Sequence, residues 1–268
     1  MPEFNFPTPP ILAALHLPPF PASGHPDAKT MAEIRDYALR NTEMAVKAGI
    51  NGLYLQDLGD HPVVRPIPPH VIAGVAVVGT AIREEFPQLK LGICLMGHGA
   101  KEPLAVAQAI GAQYVRLKVY IGVMVKTEGL LEGCAAEAIQ YRHQIGADQI
   151  TIFADVYDRT GEPLGRLPLV EESRQAAVFG RADALVLTGL SFKESLAMIA
   201  EVRQSKLDVP LYMGGGVNAS NVTEALKAAD GVFVSSAFKT LSGFTRESMR
   251  LEWDPEKIKT FMQAVKET

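Results

Sequence analysis

Residues 210–239 read PLYMGGGVNASNVTEALKAADGVFVSSAFK. Two short apolar runs, 210–216 and 231–238, flank a stretch with helical spacing at 219–228. Both runs are apolar on both parities, which is how a parallel strand covered on its two faces reads. Three glycines follow the first run, and Asp230-Gly231 marks the return from helix to strand. The stretch is one strand–helix–strand unit of an α/β protein.

The same alternation extends back to the N-terminus. Six more apolar runs precede this unit: 11–17 (ILAALHL), 52–57 (GLYLQD), 89–96 (LKLGICLM), 114–120 (YVRLKVY), 150–157 (ITIFADVY) and 184–189 (ALVLTG). Helical patterns fall at 30–48, 71–86, 103–110, 132–145, 169–179, 193–204, 219–228 and 255–266. Gly49, Gly111, Gly146 and Gly180 stand where four of these stop, as helix ends favour. Asp254-Pro255 supplies an N-cap and a proline at the first helical position of the last. Eight strand–helix units in 268 residues predict a single (β/α)8 TIM barrel spanning residues 1–268. A doubly wound sheet would need fewer strands or a second domain, and no linker is visible.

Composition narrows the function. The chain is 47% hydrophobic and 21% charged, ample to bury a core and exclude disorder. A net charge of −4 and a lack of sustained basic patches give no reason to expect nucleic acid as a partner. No apolar stretch approaches the roughly 18 residues of a transmembrane helix. The opening Met1-Pro2-Glu3-Phe4-Asn5-Phe6-Pro7 lacks the basic start and apolar run of a signal peptide. Cys94 and Cys134 form no CxxC or Cys/His ligand spacing, so reduced thiols and a cytoplasmic protein are expected.

In this fold the chemistry sits at the C-terminal strand ends and in the loops that follow. Gly214, Gly215 and Gly216 let backbone N–H groups approach an anion, and Ser235 and Ser236 open a short helix. Together they predict a phosphate site, against the plainer reading of a tight turn. Lys118 within an apolar strand demands a partner, and Asp155 on the adjacent strand is the expected one. That pair is either catalytic or a structural ion pair, with Arg116 on the same parity as a further binding group. His16 is a candidate base or a satisfied core histidine. Asp57 is a candidate acid–base residue, and Asp60 and Thr188 are candidate ligand contacts. His98 is a candidate contact from the loop after the third strand. No cofactor is predicted. A divalent cation at Asp57, Asp60 and His61 is the lesser alternative to turn chemistry.

Several segments resemble the BtpA family, which includes the SgcQ-like proteins. They are LHLPPFPAS at 15–23, GLYLQDLGDHP at 52–62, YVRLKVYIGVMVKTEGLLEG at 114–133, ADV at 154–156, and MGGGVNASNV with ADGVFVSSAFK at 213–222 and 229–239. The resemblance runs through nearly the whole chain and implies an aldolase-type barrel of the ribulose-phosphate-binding kind. His16, Gly59, Asp60, Pro62, Arg116, Gly133 and Asp155 match the family pattern. The family usually has Glu-Asn where this chain has Gln56-Asp57, and Asn where it has Lys118. Gly97-His98 stands in place of Asn-Asp, and Thr127-Glu128-Gly129 in place of Asp-Gln-Gly. These departures at strand ends imply a divergent subgroup with its own substrate. The expected function is an enzyme acting on a small phosphorylated, sugar-phosphate-like metabolite by isomerase, lyase or hydrolase chemistry. The alternative is a non-catalytic assembly factor, after the photosystem I biogenesis role that gives the family its name. A homo-oligomer is compatible with either.

Overall fold

The computed structural model describes residue 6, residues 9–241, residue 245, residues 247–248 and residues 251–267. Eight parallel strands close into a barrel. They are β1 (Ile11–His16), β2 (Gly52–Gln56), β3 (Lys90–Ile93), β4 (Tyr114–Leu117), β7 (Thr151–Val156), β9 (Ala184–Leu187), β10 (Leu211–Gly214) and β11 (Gly231–Val234). Each pairs with the next in this order, and β11 returns to β1 with Ile11 opposite Val232. All eight fall within the apolar runs of the sequence, and the (β/α)8 expectation holds.

Helices between the strands are set by ordinary local chemistry. In α1 (Met31–Ala48), Thr30 and Glu33 form a capping box, and Gly49 ends the helix at φ 97°. In the C-terminal helix Pro255–Lys266, the Asp254 side chain accepts from the Glu256 and Lys257 N–H groups, as its Asp-Pro start predicts. No helix among the described residues is long and apolar enough to cross a membrane.

Three elements depart from expectation. The fourth strand ends at Leu117, not at residue 120. A hairpin follows it, β5 (Val123–Lys126) with β6 (Gly129–Glu132), and β8 (Glu162–Pro163) joins its other edge. The helix expected from residue 132 runs only over Ala135–Gln144, because Glu132 is consumed by the hairpin. The expected helix 169–179 divides into an α-helical part, Leu169–Arg174, and a π-helical turn, Gln175–Phe179.

The core has two layers. One lies between strands and helices and takes Leu15, Leu53, Leu55, Val115, Ile152 and Leu187 from the strands. The other fills the barrel with Leu12, Tyr54, Tyr114, Phe153, Tyr212 and Phe233. Their rings meet edge to face, with Phe153 centred 4.8 Å from Tyr212 and 5.4 Å from both Tyr114 and Phe233. Phe6 packs on this layer, 5.6 Å from the Tyr114 ring. Gly92 makes room for that tyrosine, since a methyl there would stand 2.2 Å from its ring. The lower half of the barrel is thus solid, and polar side chains are gathered at the upper ends of the strands.

Candidate functional site

A cavity of about 770 Å³ opens at the C-terminal ends of the strands. His16, Gln56, His61, Arg116, Lys118, Asp155, Thr188, Gly215, Gly216, Ser235 and Ser236 line it together. The barrel gathers these residues from most of its strands because every strand points the same way.

The central feature is a buried ion pair, and it corrects the expected Lys118–Asp155 partnership. Arg116 donates through Nε to Asp155 Oδ1 at 3.0 Å and through Nη2 to Oδ2 at 3.2 Å. Its Nη1 donates to the Tyr54 hydroxyl at 3.1 Å, and the guanidinium carbon lies 4.7 Å from the Phe233 ring centroid. Burial alone would lower the Arg116 pKa, and the Asp155 charge outweighs it and holds it above its ordinary value. The planar fork matches a carboxylate with two parallel bonds, which an ammonium cannot do. Lys118 lies one residue past the paired Leu117 and Ala154, where the chain has left the ladder. Its Nζ instead stands 3.9 Å from Asp158 Oδ2 in the loop after β7.

Asp158 is shared. Lys126 of the hairpin reaches the same oxygen at 2.6 Å, and both side chains of that pair are only 4% exposed. Burial would raise the Asp158 carboxyl, but the Lys118 and Lys126 ammoniums outweigh it and hold it well below the usual carboxylate range. Lys118 therefore faces the cavity with its carboxylate already committed to a closer cation.

His16 stands with Nε2 3.4 Å from Ser235 Oγ, which itself donates to the Ala14 carbonyl at 3.1 Å. Burial, then the charges of Lys239 and Lys118, lower its pKa to about 3. The ring is neutral at pH 7 and, held this low, is a weak base that offers the cavity a hydrogen-bonding edge. Among the described residues Thr188 Oγ1 is buried without a hydrogen-bond partner, while the residue itself forms part of the cavity wall. Gly214 is required beneath it, since a methyl at Gly214 would fall 2.1 Å from Thr188 Oγ1. Its role is clearance, so the expected anion contact narrows to Gly215 and Gly216. These two turn at φ 73° and 77°, a region that disfavours side chains.

Besides Gly214, three expected site residues lie outside the cavity wall. Asp60 accepts from Phe20 N–H at 3.3 Å and meets His70 Nε2 at 2.9 Å, tying the loop after β1 to α2 (Pro69–Glu85). His98 Nε2 meets the Glu132 carbonyl at 2.5 Å. Asp57 accepts from Met96 N–H at 2.6 Å and so ties the ends of β2 and β3. Among the described residues no three or more His, Cys, Asp or Glu side chains gather as metal ligands, so Asp57, Asp60 and His61 form no such group.

Asp57 yields a testable consequence. Burial pushes its carboxyl up to about 6, against the Met96 N–H that favours the charged form. A folded pKa above the unfolded value of about 3.9 costs stability when the group is charged. The cost is absent below about pH 4, grows from there to about pH 6, and is constant above. Asp57→Asn keeps the acceptor for Met96, and is expected to be more stable than the native protein at pH 7 by about 1–3 kcal/mol. The gain should vanish near pH 4. Urea unfolding at the two pH values measures it, and a variant less stable at pH 7 would contradict it.

Tyr54, Lys126, Asp158, Arg159 and Lys239 are among the wall residues that escaped the sequence reading. Lys126 lies on the unforeseen hairpin. Arg159 follows the fifth apolar run, and the rule that loops after strand ends carry function would have reached it. Lys239 belongs to the last motif; its Nζ donates to the Ser248 carbonyl at 2.9 Å, and burial lowers its pKa to about 8. Among the described residues the wall then holds five cationic side chains (Arg116, Lys118, Lys126, Arg159, Lys239) against three carboxylates (Glu128, Asp155, Asp158). The mouth is positive although the whole chain carries −4.

Comparisons with known proteins agree with this architecture. The model of the BtpA family matches residues 8–267. Photosystem I biogenesis protein BtpA of Synechocystis is 27% identical over 261 residues, covering 96% of this chain and 88% of the relative. Among solved structures, native KDPGal superposes with a TM-score of 0.58 at 16% identity, over 100% of this chain and 98% of that one. KGPDC from Streptococcus mutans, solved in complex with D-ribose 5-phosphate, gives 0.55 at 10% identity, over 96% and 98%. At such identities these two structures share the fold alone.

Proposed function

The chain belongs to the BtpA family, and from that premise we propose that it is an enzyme acting on a small phosphorylated, sugar-phosphate-like metabolite at the mouth of the barrel. The observation that carries this reading is the excess of cations over carboxylates among the described residues of the cavity wall to which Gly215 and Gly216 belong, in an otherwise acidic protein. A phosphate group brings roughly −1.5 to −2 charges, enough to balance such a wall. The S. mutans barrel solved with D-ribose 5-phosphate lends support by analogy of fold.

The phosphate would rest on the Gly215 and Gly216 backbone, with Ser235 and Ser236 beside it. No bond from the Gly216 or Ser236 N–H to a protein acceptor is found among the described residues. Thr188, part of the same wall, would contact the ligand. A bound phosphate's negative charge would raise His16 toward the range in which an imidazole exchanges protons, and Lys118 would stabilise negative charge developing nearby. Arg116 and Asp155 satisfy each other and hold the floor of the site. Isomerase, lyase and hydrolase chemistry all use this equipment. An assembly role, which the name of the Synechocystis relative attaches to that protein, would leave the polar wall without a task.

Thermal unfolding with D-ribose 5-phosphate and with D-ribose tests the reading. The phosphorylated sugar is expected to raise the melting temperature, and the bare sugar to leave it unchanged. Equal responses, or none to either, would overturn the phosphate site.

A further inference from the structure

We propose that Arg159 completes the anion site and that the small sheet β6–β5–β8 is the device that holds it there. The inference rests on the phosphate reading above and adds a binding residue and its positioning machinery.

Arg159 lies flat against the glycine turn. A methyl built on Gly215 would stand 3.1 Å from its Nη1, 3.2 Å from its Cζ and 3.3 Å from its Nη2. The positive φ of Gly215 favours glycine, and the guanidinium lies against the space that its missing side chain leaves open. Arg159, Gly215 and Gly216 form one stretch of the cavity wall. A guanidinium there offers a phosphate two parallel donors from a direction the backbone amides do not cover.

The loop that carries Arg159 is fastened on both sides of it. Tyr157 turns the chain at φ 63°, unusual for a residue with a side chain. Asp158 Oδ1 then accepts from the Thr160 N–H at 3.1 Å and hydroxyl at 2.8 Å, closing a turn around residue 159. Its other oxygen takes Lys126 of β5 at 2.6 Å. On the far side Gly161 packs directly on β5, where a methyl would meet the Val125 carbonyl oxygen at 2.8 Å. Glu162 and Pro163 then pair with Val125 and Met124. The hairpin thus reaches the ligand through Arg159, and Lys126 and Asp158 are positioning residues.

The test uses inorganic phosphate as the probe, with its dissociation constant read from melting temperature against concentration. Arg159→Ala is expected to weaken phosphate by at least about tenfold while its melting temperature without phosphate stays at the native value. Arg159→Lys keeps the charge and loses the fork, so it should fall between the two. Lys126→Met should weaken phosphate several-fold, and Lys126→Arg should restore it. Native-like affinity in both Arg159→Ala and Arg159→Lys would overturn the proposal while leaving the phosphate site standing. Weak binding in Arg159→Ala with native binding in Lys126→Met would overturn the positioning role of the sheet. A native protein that shows no response to phosphate would overturn the site itself and this inference with it.

Discussion

Arg116→Met is expected to lower the free energy of unfolding by about 3–5 kcal/mol, because it strands a buried carboxylate. Asp155 is 4% exposed, and among the described residues no cation other than Arg116 pairs with it. The Tyr54 hydroxyl loses its donor, and Phe233 loses the charge above its ring. Methionine fills similar volume, so packing is not the cause. The double variant Arg116→Met/Asp155→Leu should recover most of the loss, since replacing a whole buried pair by apolar groups is close to neutral. Urea denaturation of the three proteins decides. A single variant within about 1 kcal/mol of native would mean that Lys118 swings from Asp158 to take the vacant place.

The second large effect is local. Asp158→Ala leaves Lys126, 4% exposed, without its carboxylate, and frees the turn at Thr160. The cheapest relief is to open the hairpin, not the barrel. Amide exchange in β5 and β6 is therefore expected to accelerate about 100-fold, corresponding to about 3 kcal/mol of local opening, with β1 and β2 unchanged. Lys118→Met should leave those rates near native, because Asp158 keeps its closer cation at 2.6 Å. In the native protein the depressed carboxyl keeps its full contribution above about pH 4, the unfolded value, and loses it only as pH falls below that. Exchange that accelerates equally in hairpin and barrel would show that the two sheets open as one unit.

The barrel was legible because parallel strands covered on both faces need apolar residues at every position. Runs such as ALVL in β9 carry that demand openly, and all four of its residues are buried. The hairpin offers no such signal. Val125 and Leu130 are exposed apolar residues on it, 43% and 57%, while Met124 and Leu131 pack only with Val119 in a separate small cluster. Its apolar content answers to a different core, so it reads as a continuation of the fourth run and its turn. In the site, strand parity brought Arg116, Lys118 and Asp155 to one wall correctly. Parity says which face a side chain leaves from and nothing about its reach. The carboxylate went to the rigid fork, and the flexible lysine extended past the strand end to Asp158. Asp57 and Asp60 lie in the same strand-end segment as Gln56 and His61, yet their oxygens are taken up by the Met96 and Phe20 N–H groups and the His70 ring. Acidic residues near a rim are recruited for architecture as readily as for chemistry.

Among the described residues the aromatic floor of Tyr54, Tyr114, Phe153, Tyr212 and Phe233, with Phe6 against it, closes the lower end of the barrel. The cavity is therefore reached from the upper rim, across the lysines and the glycine turn. A molecule broad enough to cover that rim would block arrival and departure alike, without touching the ion pair beneath.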